Sequence, residues 1–193
     1  MNREEALEIV KTYVKNENLI HHMFCVEAAM RFYAKKLNQD EEDWGLVGLL
    51  HDFDWEIHPT MEEHPIVGAE ILRSKNVPEH WIRAILSHSD YTGVKRESLM
   101  EKALYACDEI TGLVTAVALV RPSKSIYDLT PKSVKKKWNN KNFAAGANRE
   151  EILQAVEEFN IDLWEHTQNI ILAMRSIAPL INLEGNLSAP ENE

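Results

Sequence analysis

Apolar residues recur along this chain at the spacing of helix faces, and nowhere is there a sustained alternation of apolar and polar positions. A period of 3.6 with no period of 2 admits helices and excludes a sheet, so the fold class is all-α. A first helix is expected over Arg3 to Val14. A second follows Asn18, where Ile20, Phe24, Ala28, Met30 and Leu37 mark a stripe. Asp40-Glu41-Glu42 opens a third, carrying Trp44, Val47, Leu50 and His51. Pro59 and Pro65 bracket an irregular stretch, after which Ile66, Ala69 and Leu72 form a short helix ending near Asn76. Pro78 suits the first turn of a helix from Glu79 to about Ser87. Leu99 to Val120 is the longest apolar periodic run and reads as the central helix, ending at Arg121-Pro122. Short helices follow at Pro131 to Trp138 and at Arg149 to Glu158, the latter capped by Asn148 with Glu151 as its capping-box partner. A last helix is expected over about Ile161 to Leu180, where Leu163, His166, Ile170, Ala173 and Ile177 share a face.

With 193 residues, 45% hydrophobic and 27% charged, the chain suits one hydrophobic core. The expectation is a single-domain helical bundle over residues 1–183. It divides into a core at about 17–120, a basic segment at 121–149, C-terminal helices at 149–181 and a flexible polar tail at 184–193. The longest mostly apolar stretch, Leu113 to Val120, falls far short of the roughly 20 residues that span a bilayer, and no signal-peptide pattern opens the sequence. No membrane partner and a cytoplasmic address are therefore expected. Cys25 and Cys107, without CxxC spacing, exclude a disulfide scaffold or a zinc-finger site and read as small core residues.

The net charge of −10 argues against a surface that grips extended nucleic acid. The average conceals a reversal. Arg121, Lys124, Lys132, Lys135, Lys136, Lys137, Lys141 and Arg149 face the single acid Asp128 between positions 121 and 149. This segment is either a solvated basic face or an electrostatic funnel for a small anionic molecule.

Polar residues intrude on the apolar helices. His51-Asp52 ends the third, His22 interrupts the second, His64 opens the fourth, His88 closes the fifth, and Asp108 lies within the most apolar run. An ionised carboxylate in such a helix costs several kcal/mol unless it is paired or bound to a cation. The partners at hand are imidazoles, and imidazole with carboxylate is the usual donor set for a divalent transition metal. His21 competes with His22, since neighbours on a helix point about 100° apart and only one can face a site. Phe24, Val26 and Ala29 do not separate the two.

The order His22, His51-Asp52, His64, His88, Asp108 resembles the H…HD…D signature of the HD-domain superfamily, in the variant with two further histidines. The resemblance runs from about Glu17 to Val120. The stretch from Cys107 to Pro122 and the basic region beyond it further resemble a bacterial branch of predicted HD hydrolases. The resemblance implies that His22, His51, Asp52 and Asp108 hold one metal, that His64 and His88 hold a second, and that Asp52 bridges. It also favours His22 over His21, since a hydrophobic residue usually follows the family's histidine. One or two divalent ions are implied, with iron, manganese, cobalt, nickel, zinc or magnesium all compatible. The implied activity is metal-dependent hydrolysis of a phosphate ester in a small, nucleotide-like molecule. Bound ions lower the pKa of water and neutralise phosphoryl charge.

Asp54 follows Asp52 closely, as a proton-transfer group, a support for a ligand histidine, or an exposed loop acid. Many family members carry a substrate-binding lysine after HD. Phe53-Asp54-Trp55 stands there instead, so cations for an anionic substrate must come from elsewhere: Lys124, Lys135, Lys136 and Arg149 are the candidates, Arg121 lying roughly 20 Å along the helix from Asp108. His58, His80 and His166 read as surface or boundary histidines, and Asp90-Tyr91 as a loop turn or a pocket mouth. Thr111 is placed either to support Asp108 or to bond its own backbone. The six-residue pattern also resembles HD-fold di-iron oxygenases, and a third reading is a non-catalytic domain with a structural metal. Oligomeric state is left open.

Overall fold

The structure, a computed structural model, describes residues 1–140 and 142–189. Lys141 and the tail from position 190 onward lie outside the described residues. The helices are α1 (Arg3–Tyr13), α2 (Glu17–Lys36), α3 (Glu41–Leu50), α4 (Ile66–Ser74), α5 (Glu79–Ser87), α6 (Leu99–Leu119), α7 (Pro131–Trp138), α8 (Arg149–Glu158) and α9 (Leu163–Arg175). A 3₁₀ turn covers Asp90–Thr92, and no strand occurs among the described residues. The all-α class stands. By contacts the chain divides into two compact units, Met1–Tyr105 and Ala106–Glu193, the division falling within α6. Among the described residues no helix is long and apolar enough to cross a membrane.

Several helix ends differ from their sequence reading, each for a capping reason. α2 starts earlier than Asn18, because the Asn16 side chain accepts from Asn18 N at 3.0 Å and leaves Asn18 in the first turn. α9 is shorter at both ends than Ile161 to Leu180. Asp162 caps it by accepting from Trp164 N and Glu165 N, and beyond Arg175 the chain turns toward Pro179, whose ring disfavours helix at the preceding residue. Asn148 caps α8 as expected, but Glu151 does not complete a capping box: its carboxylate accepts from the Asn148 side-chain amide at 2.7 Å, while Asn148 N donates to Glu109. Pro78 occupies the N-cap of α5, one position before its first turn.

In the first unit α2 packs against α3, α1 also lies on α3, and α5 contacts both α3 and α4. Met23, Val26, Ala29, Met30 and Tyr33 of α2 meet Val47, Leu49 and Leu50 of α3 in a core that excludes water. Each large apolar side chain so buried contributes roughly 1.5–3 kcal/mol. Gly48 is required by the close approach of these helices, since a Cβ there would lie 2.9 Å from the Val26 carbonyl oxygen. Across the outer side, Glu27, 4% exposed, accepts two bonds from Arg3 and one from Arg31, which also reaches Glu42. That network joins α1, α2 and α3.

In the second unit α9 contacts α7 and α8. The basic segment is folded against it rather than loose. Arg175 of α9 donates to the carbonyls of Ile126 and Leu129, and Ile126 N donates to Leu183 O. The start of the polar tail is also tied down, with Asn186 N donating to Ser123 O at 3.0 Å.

Candidate metal centre

The end of α3 places the first ligand candidate. His51 is the C-cap residue, and its ring turns back so that Nδ1 donates to Gly48 O at 2.8 Å. A carbonyl can only accept, so Nδ1 carries a proton and Nε2 is the nitrogen left to face inward. His88 closes α5 in the same manner, its Nδ1 bonded to Ile85 O. The chain after α5 holds that end: Thr92 Oγ1 donates to Leu86 O, and Arg96, stacked over Tyr105, donates to Ser87 O at 2.7 Å. These bonds satisfy terminal carbonyls of the helix. His64 precedes α4, and its Nδ1 donates to Asp54 Oδ1 at 2.8 Å. Three histidines thus have Nδ1 engaged and Nε2 directed inward.

Those inner nitrogens converge. His22 Nε2 lies 3.2 Å from His51 Nε2, and His64 Nε2 lies 3.1 Å from His88 Nε2. Of the adjacent histidines on α2, His22 is therefore the one turned toward His51. Asp52 divides its carboxylate between the pairs. Oδ1 is 3.2 Å from His64 and 3.5 Å from His88, while Oδ2 is 3.5 Å from His51 and 3.7 Å from His22. Asp52, His64 and His88 each offer a ligand atom within 4.8 Å of the others.

The electrostatics call for positive charge at the centre. Two imidazole lone pairs about 3 Å apart repel unless a proton or a cation stands between them. Burial works against charge on His64, but its bonds to Asp52 and Asp54 outweigh burial and push its pKa up to about 9. Burial likewise opposes the charge on Asp52, and the imidazoles of His51, His64, His88 and His22 hold its carboxyl well below the usual range. A metal ion fits the same place. Imidazole nitrogens bind zinc at about 2.0–2.1 Å, which separates two of them by roughly 2.8–3.4 Å at angles from square to tetrahedral. Both nitrogen pairs have that spacing.

Residues 19–113 match the family model of the HD domain. Those residues form an HD domain and belong to the HD-domain superfamily. HD domains are generally metal-dependent hydrolases and bind divalent metals, and the matched stretch contains every residue of the signature from His22 to Asp108. No solved structure matches the chain.

The other candidates of this HD-domain protein resolve individually. Asp54 is fully buried and not an exposed loop acid; its oxygens accept from His64 Nδ1 and from Gly68 N at 3.0 Å. The sequence signal for Gly68 is a glycine near the start of an apolar helix. Asp108 is half-buried on α6 in the second unit, and Thr111 Oγ1 donates to its backbone carbonyl at 2.7 Å, the backbone reading of that threonine. His58 is half-buried and His80 exposed, but His166 is fully buried and bonds Ala106 O through Nε2 at 2.8 Å. Its reading as a surface histidine is corrected, and its place on the apolar stripe of the last helix was the available signal. Asp90 forms an ion pair with Arg96 at 2.7 Å beside an exposed Tyr91.

Within the basic segment the arginines are engaged locally. Arg121 pairs with Asp128 and donates to Ser133, and Arg149 donates to the carbonyls of Phe143, Ala144 and Ala147. Lys124 and Lys136 are exposed, Lys135 lies 5.1 Å from the Trp164 ring centre, and Lys137 lies 5.2 Å from that of Phe143.

Proposed function

We propose that this HD domain is a metal-dependent phosphohydrolase that cleaves a phosphate ester of a small, nucleotide-like molecule. The observation that carries the proposal is the division of Asp52 between two pairs of facing histidine nitrogens, 3.2 and 3.1 Å apart. In this reading Asp52, with one oxygen near each pair, would be shared by two ions. His22 and His51 would hold one ion, and His64 and His88 the other. Bound divalent ions lower the pKa of water toward neutrality and neutralise charge building on the phosphoryl group.

The protein's own residues hold and orient. Backbone carbonyls lock the rings of His51 and His88, so no ring rotation precedes binding. Asp54, with both oxygens accepting hydrogen bonds, supports His64. Lys124, Lys135 and Lys136 supply the positive field that draws an anion to an otherwise acidic chain, while Arg149 holds the loop that follows α7.

The test is phosphate release by the purified chain loaded with manganese, cobalt, iron or zinc, assayed on nucleoside monophosphates and simple phosphomonoesters with and without air. Oxygen-independent release that Asp52→Ala abolishes, in a variant that keeps its far-UV circular dichroism, is the expected result. Oxygen consumption without phosphate release would overturn the proposal in favour of an oxygenase. Collapse of the Asp52→Ala fold would instead mark the metal as structural.

A further inference from the structure

The histidines that carry their proton on Nδ1 are not equivalent. His51 and His88 donate to neutral backbone carbonyls, whereas His64 donates to the Asp54 carboxylate. Asp54 has a second task. Its Oδ2 accepts from Gly68 N, the third residue of α4, and α4 receives no side-chain cap from Pro65 at its N-cap position. Asp54 therefore caps this helix from outside while it orients the histidine before it. The fit is close. A Cβ on Gly68 would stand 2.4 Å from Asp54 Cγ and Oδ2, so only glycine lets the carboxylate reach both partners.

We infer that Asp54 and Gly68 form a positioning device acting on one ion position alone, the one served by Asp52 Oδ1, His64 and His88, and that this device decides whether the protein holds two ions or one. A carboxylate behind an imidazole fixes the ring and makes Nε2 a stronger donor, and its removal typically weakens metal binding 10–100-fold. The His51 ring is anchored by Gly48 on a different helix, so the position facing Asp52 Oδ2 keeps its support when Asp54 is changed. The inference rests on the metal-site reading above.

The experiment uses the full chain, stripped with a chelator and titrated with cobalt(II). Bound metal is counted by equilibrium dialysis, and the visible cobalt bands report each position. The wild type is expected to bind two equivalents. Asp54→Asn keeps one at unchanged affinity and binds the other about 10–100-fold more weakly. Gly68→Ala retains the carboxylate but displaces it, so it gives the same selective loss and carries the test if Asp54→Asn does not fold. His64→Gln should reproduce the one-ion state, and adding Asp54→Asn to it should produce no further loss, an outcome that general destabilisation would not give. Folded variants that lose both equivalents, or neither, overturn the inference, as does a wild type that binds one ion. A wild type that binds none refutes the metal-site reading instead.

Discussion

Replacing Glu101 by Gln isolates the device that starts α6. Glu101, 4% exposed, accepts from the backbone N–H groups of Glu97 and Ser98 through Oε2 and from Arg83 Nε through Oε1 at 3.0 Å. Ser98 Oγ accepts from Glu101 N in return, which completes a capping box. Burial opposes the carboxylate's charge, but the Glu97 and Ser98 donors and Arg83 outweigh it and hold the carboxyl below its ordinary range. Glutamine keeps one oxygen for the backbone donors, loses the charge that strengthens them, and offers Arg83 an amide in place of an acceptor. Hydrogen bonds to a charged group contribute about 1.5–3 kcal/mol each. The Arg83 share is discounted because that side chain is 40% exposed. The expected loss is about 2–3 kcal/mol at pH 7, a fall in Tm of about 5–10 °C. Because the folded carboxyl has the lower pKa, its contribution is present above the unfolded value near 4.5 and is lost as pH falls through the folded one. Urea denaturation followed by circular dichroism at pH 7 and at about pH 3 should therefore show a gap between wild type and variant that closes with acid. A gap below about 0.5 kcal/mol at neutral pH, or one of equal size at both pH values, would refute the reasoning.

Three further outcomes follow from particular contacts. Glu27→Ala strands Arg3 and Arg31 at the junction of α1, α2 and α3 and should destabilise the protein by about 2–4 kcal/mol in urea, below the upper range for a buried pair because both arginines are partly exposed. Arg149→Leu frees the carbonyls of Phe143, Ala144 and Ala147, so amide exchange over 142–147 should accelerate while α9 stays protected. Chelator treatment of the metal-loaded protein should lower Tm, and excess ion should restore it, each position contributing about 2.7 kcal/mol at a hundred times its Kd; an unchanged Tm would count against the metal centre.

How much was legible in the sequence depends on the range of the forces involved. Helical spacing, proline positions and the His51-Asp52 pair are local features, and they specified the all-α class, most helix spans and the candidate ligand residues. Caps were read less well, because Asn16 and Asn18, two residues apart, are equally good capping residues and only backbone geometry chooses between them. The same holds for His21 and His22, whose identity cannot say which ring meets His51. Asp54 was open to three readings until Gly68 and His64 were seen to enclose it from across a ten-residue loop. Long-range closure of that kind leaves no periodic trace. The sequence by itself therefore determined which chemical groups this protein carries and the helices that bear them. Only the tertiary structure decided which nitrogens face one another and which carboxylate stands behind a ligand, because those depend on the distance between segments and not on their spacing along the chain.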